Sequence, residues 1–237
     1  MEVHHHAHTS RKKWTHYLWE FLMLFLAVFC GFLAEYQLEH TIEKDREKQY
    51  IQSLYFDLQK DINQTDSLIK QQVIVKEICD SLLIWMTGRE FLENSYPVYK
   101  RWRLVLGFND FISNDGTMQQ LKNSGSLRLI HEQNVVNKLM DYSKVTEVIR
   151  IHQSTMNDFL LQDRVYELFD IPALDKTKGL IPVPPINTEK HILSWAYDHI
   201  KTWKSLLAVW NVYLQKVRQT GIELSELINE EYSVKQH

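Results

Sequence analysis

Residues Phe21 to Ala34 read Phe-Leu-Met-Leu-Phe-Leu-Ala-Val-Phe-Cys-Gly-Phe-Leu-Ala, fourteen positions without a polar side chain. A helix of that length covers about 21 Å, short of the roughly 30 Å of a bilayer core. Tyr17, Leu18 and Trp19 on one side and Tyr36 and Leu38 on the other lengthen the apolar span, so residues 14–38 are the expected transmembrane anchor. Trp14, Tyr17 and Trp19 at one edge and Tyr36 at the other fit interfacial aromatic belts. Arg11, Lys12 and Lys13 before the run, with no Lys after it until Lys44, place the N terminus in the cytosol and the rest of the chain outside.

Two other readings of the run compete. A cleaved signal peptide would show the same basic start and short apolar stretch, but Ala34 has bulky Phe32 two positions earlier, and Phe29 stands before Cys30 where a lipoprotein signal needs a small residue. A buried helix of a soluble protein would leave the flanking belts and basic triplet unexplained. Within the anchor, Ala27, Gly31 and Ala34 share one face, and Glu20 projects close to it. Small residues let helices approach closely in lipid. The face is therefore a candidate packing seam, with another copy or another membrane protein, and Glu20 either seeks a partner there or reaches headgroup water.

Residues 1–13 form a short cytosolic tail with His4, His5, His6 and His8, followed by His16. Neutral imidazoles bind Zn, Ni or Cu, which makes these four the candidate metal ligands. A flexible tail does not preset a coordination geometry, and adventitious binding accounts for the same cluster.

The rest of the chain, 39–237, is expected to be one helical extracytoplasmic domain. Of the 237 residues 44% are hydrophobic, with seven Trp and eleven Tyr, enough apolar bulk for a core rather than disorder. Only seven Gly and five Pro interrupt it, and four of the Pro lie between Pro172 and Pro185, which favours long helices elsewhere. Net charge is −3 with no basic stretch beyond the triplet, so no surface is built to neutralise phosphates and nucleic acid is excluded as a partner. Cys30 in the apolar run and Cys79 on a soluble helix are not expected to pair.

Apolar periodicity supplies the elements. Ile51, Leu54, Leu58, Ile62, Thr65, Ile69 and Val73 recur at steps of three and four, a stripe on a helix that extends the anchor to a C-terminal cap at Gly88. The mixture of aromatics and bases from Tyr96 to Gly107 predicts a short helix or irregular packing. Thr117 is the expected cap of a helix from Met118 to Asn123, closed by Ser124-Gly125. A second long helix carries Val135, Leu139, Tyr142, Val145, Ile149, His152, Met156 and Leu160 and is expected to end near Phe169, with His152 a satisfied core histidine. Pro and Gly make 171–188 a long loop. The last helix has the clearest stripe: Ile192, Ala196, His199, Trp203, Leu206, Trp210, Tyr213, Val217, Leu224 and Leu227. The fold class is all-α: an N-terminal transmembrane helix continuing into a helical bundle.

The aromatic-flanked anchor, Trp19-Glu20-Phe21 through Leu33-Ala34-Glu35, together with Thr117-Met-Gln-Gln-Leu121-Lys-Asn-Ser-Gly125-Ser-Leu127-Arg-Leu129-Ile130, is similar to uncharacterised single-pass envelope proteins of gram-negative bacteria. That resemblance implies an inner-membrane protein with a periplasmic domain and supplies no mechanism. The search for catalytic chemistry finds none. His131-Glu132 lacks the second His of a zinc-protease helix, no Gly-rich phosphate loop is present, Cys79 has no evident base, and Ser124 and Ser126 sit in no nucleophile elbow. No cofactor is expected. Two classes of function stay open, a noncatalytic scaffold or docking module and a sensor whose ligand shifts the bundle, with an uncharacterised enzyme as a third.

Overall fold

The computed structural model describes residues 14–88, 91, 95–169 and 186–234. It is all-α. Helix α1 spans Trp14–Trp85, α2 Ser95–Val105, α3 Gly116–Asn123, α4 Gln133–Leu160 and α5 Lys190–Tyr232. A 3-10 turn covers Ser126–Leu129 and a single α turn Val165–Leu168. Among the described residues no strand forms, and one isolated bridge joins Phe169 to Ile186. The chain divides into two units, 1–49 and 50–237.

In the first unit the apolar side chains of the described residues from Trp14 to Leu38 are exposed. Phe21, Met23, Leu24 and Phe32 are each between 63% and 69% exposed, and this stretch of α1 is long and apolar enough to cross a membrane. Phe21, Phe25 and Phe29 stack along one side at i, i+4 spacing, with centroids 6.2 and 5.9 Å apart.

The second unit packs α1, α4 and α5 around one core. Ile51, Leu54, Leu58 and Thr65 are buried, as the stripe predicts, but Ile62 and Ile69 are only half-buried and Val73 is exposed, and Leu68, Cys79 and Leu82 are buried in their place. The buried line keeps a seven-residue interval (Ile51, Leu58, Thr65, Cys79 and Leu54, Asp61, Leu68, Leu82), whereas the predicted stripe steps three, four, four and so rotates off that seam. On α4, Val135, Leu139, Tyr142, Ile149 and Met156 are buried as expected, and so is Gln153. On α5 the covered face is wider than the predicted stripe, because Ile200, Leu207, Leu214, Gly221 and Ile228 join it. A helix packed against two neighbours buries more than a single seam.

Polar pairs pin the register between helices. Asp66 on α1 accepts from Arg218 on α5 at 2.5 Å, Asp80 meets Lys204, and Glu223 on α5 meets Lys138 on α4. Half-buried His152 lies 3.2 Å from the Leu206 carbonyl oxygen, so it is a satisfied histidine.

Three termini differ from expectation. Thr117 does not cap α3; its hydroxyl donates to Asp57 at 2.6 Å, and the helix begins at Gly116, two residues before Met118. Helix α1 ends at Trp85 and its last carbonyls are closed by tight turns, with Thr87 Oγ1 and Gly88 N–H donating to Ile84 and Trp85, so Gly88 needs no left-handed cap. Helix α4 stops at Leu160, nine residues before Phe169, through turns at Leu161 and Gln162. At Gly125 the left-handed conformation is present (φ 67°), and it lets Leu129 and Ile130 return to the core. The long loop expected at 171–188 lies outside the described residues up to 185.

Gly221 lies where the three long helices come together. A Cβ there would sit 3.3 Å from both Ile62 Cγ1 of α1 and Tyr142 Cε2 of α4. Gly221→Leu should therefore destabilise the second unit by roughly 1–3 kcal/mol through overpacking, read as a lowered denaturation midpoint, whereas Gln215→Leu on the exposed side of α5 should change it little.

Candidate functional site

The polar residues of α1 that the sequence reading passed over form the main site of the second unit. Asp57, Asp61, Gln64 and Gln71 follow one another at steps of four, three and seven, so they share a helical face. The segment 109–117 lies along that face in the opposite direction. Thr117 donates to Asp57, Ser113 and Asn114 to Asp61, and Asn109 to Gln71 at 2.9 Å. With its amide oriented to match donors with acceptors, Gln64 both donates to the Ile112 carbonyl at 2.8 Å and accepts from its N–H at 3.3 Å.

Asp61 is the centre of this seam. It is 2% exposed and accepts from four donors: the Asn114 backbone and side-chain amides on Oδ1, both at 2.8 Å, and Ser113 at 3.1 Å and the Tyr142 hydroxyl at 2.6 Å on Oδ2. A carboxylate taken out of water at such depth is tolerable only when its lone pairs are filled. Burial, then the charge and hydrogen bond of Asp61, push the Tyr142 phenol up, so it stays a donor. A cavity of about 40 Å³ beside Asp61, bounded by Leu54, Leu58, Met118 and Leu139, has room for a water or two.

A second cluster closes the other end of the bundle. His199 is 5% exposed and stacks on Phe159 at 4.4 Å, with Trp195 and Trp102 rings 4.9 and 6.0 Å away. Its Nε2 lies 3.7 Å from Asp163 Oδ1, and neither atom has a hydrogen-bond partner among the described residues. Burial pushes the imidazole down to about 4. It also raises the Asp163 carboxyl, against the smaller opposing effects of the Trp102 indole, the Arg164 backbone N–H and the Arg103 guanidinium. Nearby, Trp203 Nε1 donates to the Val105 carbonyl at 2.9 Å and satisfies the end of α2. Trp203 and Trp210 are fully buried core residues, as expected.

The residues singled out by sequence fall apart in space from these clusters. Ala27, Gly31 and Ala34 lie in the first unit on an open face, and a Cβ on Gly31 would meet nothing within 4 Å. Glu20 has an intrahelical partner, His16, at 3.0 Å. His4, His5, His6 and His8 lie outside the described residues, and no group of three His, Cys, Asp or Glu side chains is placed to hold a metal among the described ones. Cys79 is fully buried, and desolvation pushes its thiol up to about 12, which leaves no reactive thiolate at neutral pH. No family model, no curated protein and no solved structure matches this chain.

Removing the Asp61 carboxylate should be the costliest polar truncation in the domain. Asp61→Ala leaves four donors without their acceptor and should cost roughly 3 kcal/mol, against about 1 kcal/mol for half-buried Asp57→Ala; denaturant titration of the two variants measures the difference.

The aromatic cluster gives a pH signature. A histidine whose folded pKa is depressed stabilises fully above its ordinary value near 6.5, and that contribution is lost as pH falls toward about 4. Asp163 is raised, so its proton uptake opposes part of the loss. His199→Phe should flatten the stability profile between pH 6.5 and 4, and Asp163→Asn should steepen it, both read from denaturation midpoints.

Proposed function

We propose that this chain is a noncatalytic, single-pass membrane protein of the bacterial envelope, whose helical domain acts as a scaffold or docking module outside the cytosol. One contrast supports the reading. The apolar side chains between Trp14 and Leu38 are open along the whole helix, and a bilayer is the solvent that suits them. In the second unit the titratable groups that burial perturbs are Asp163, His199, Tyr142 and Cys79. Tyr142 donates to Asp61 and Cys79 is enclosed in the core, while His199 and Asp163 lie side by side in the aromatic cluster; in this reading all four serve the fold. Orientation follows the basic triplet, with the N terminus in the cytosol and the domain in the periplasm.

In this reading the open face of Ala27, Gly31 and Ala34 packs against a second copy or another membrane protein, and Glu20 lies at its rim. The protein should stay in the membrane pellet through alkaline carbonate washing and keep its N-terminal residues, and a reporter active only outside the cytosol, fused at His237, should give signal. Release from the membrane or a processed N terminus would overturn the anchor. Gly31→Leu should lower the oligomer or partner recovered in mild detergent, while Phe29→Leu should not; equal recovery would leave the anchor as a tether only.

A further inference from the structure

Helix directions decide which groups meet in a groove of about 570 Å³ between residues 110–115 and helix α4. The pairs Asp66 with Arg218 and Asp80 with Lys204 run α5 antiparallel to α1, and Lys138 with Glu223 and His152 with Leu206 run α4 antiparallel to α5. Helices α1 and α4 therefore point the same way. Asp61 and Tyr142, 2.6 Å apart, mark one level on both. Ten residues further along α1, about 15 Å, Gln71 meets Asn109, and a similar step along α4 from Tyr142 reaches Gln153. Asp110 and Gln153 thus line the groove toward one end, while Lys122, which donates to the Ser143 hydroxyl at 2.7 Å, lies toward the other.

The Asp110 end holds acceptors without donors. Asp110 is exposed and makes no hydrogen bond or ion pair among the described residues. Gln153 is 7% exposed, and its buried amide oxygen has no hydrogen-bond partner. A buried acceptor costs free energy until a donor reaches it, and the last torsion of a glutamine is soft enough to turn that oxygen toward the groove. The guanidinium of Arg150 does not fill these acceptors, because Glu147 holds it through two hydrogen bonds of 2.8 and 2.6 Å. Asp115, a further carboxylate of the lining, accepts from Gln119 at 3.0 Å and stays charged. Asp110, Asp115 and Glu147 together outweigh Lys122 and Arg150, so the groove is acidic on balance.

We propose that this groove binds a small organic ammonium ion of the amine class, whose N–H groups donate to the Asp110 carboxylate and the Gln153 amide oxygen. The charge of the lining selects a cation, and the unfilled amide oxygen selects one that carries hydrogen-bond donors. A quaternary ammonium has the charge but leaves Gln153 unfilled. A metal ion lacks a ligand set, since no group of three His, Cys, Asp or Glu side chains is placed to hold one among the described residues. The site goes beyond the scaffold reading and does not depend on the anchor.

The test is calorimetric titration of the full chain in detergent with butylamine, putrescine and spermidine as probes, and with tetramethylammonium and Mg²⁺ as controls. At least one amine should bind saturably, and neither control should bind or displace it. Asp110→Asn, at an exposed position without a partner, keeps the fold and should weaken that amine about tenfold. Gln153→Met, which keeps the shape and removes the acceptor, should weaken it by a similar factor; if this variant does not fold, Asp110→Asn decides alone. Saturable binding by none of the three amines, controls that bind as well as the amine, or undiminished affinity in either folded variant would each overturn the proposal. Membrane retention and partner recovery do not involve this groove, so failure here is distinct from failure of the scaffold reading.

Discussion

The second unit is organised around a charge that has nowhere else to go. Asp61 lies on α1 where the helix meets both α4 and the segment before α3, and at that depth an unpaired carboxylate would cost several kcal/mol. Its four hydrogen bonds come from Ser113, Asn114 and Tyr142, so one carboxylate ties α1 to two segments that each lie more than fifty residues away from it in sequence. Shape and charge act in the same place. The Tyr142 ring that supplies one donor also packs against Gly221, so α5 approaches where the polar seam and the aromatic ring are both satisfied.

Apolar residues account for most of the remaining cohesion, and their distribution along the bundle is uneven. Around Asp61 the core is aliphatic, with Leu54, Leu58, Met118 and Leu139. Toward the start of α5 it becomes aromatic, with Trp102, Phe159, Trp195 and Trp203 gathered about His199. Large flat rings cover more area for each ordered torsion than aliphatic chains do, which suits the end where α4 has stopped and short turns must complete the core. Arg101 over the Trp85 ring, at 4.2 Å, extends the same aromatic layer to its polar margin.

The segment that leads into α3 is fixed by the same seam. Side chains at helical spacing on α1, from Asp57 to Gln71, hold residues 109–117 against the bundle.

What the sequence determined alone is the part governed by local chemistry. Fourteen apolar residues with aromatic and basic flanks mark a helix long and apolar enough to cross a membrane whatever lies downstream, because backbone satisfaction in a helix is an internal matter. The stripes of α4 and α5, the core positions of Trp203 and Trp210, and the turn at Gly125 were legible for the same reason: each depends on neighbours within a few residues. Asp57, Asp61, Gln64 and Gln71 drew no reading from the sequence, since nothing local shows that residues 109–117 will cover them. His199 looked like one more member of a stripe, and only packing brought Asp163 and the aromatic rings around it. Tertiary structure decides which polar residues are buried, because the free energy of burying a charge depends on partners that periodicity cannot bring into view.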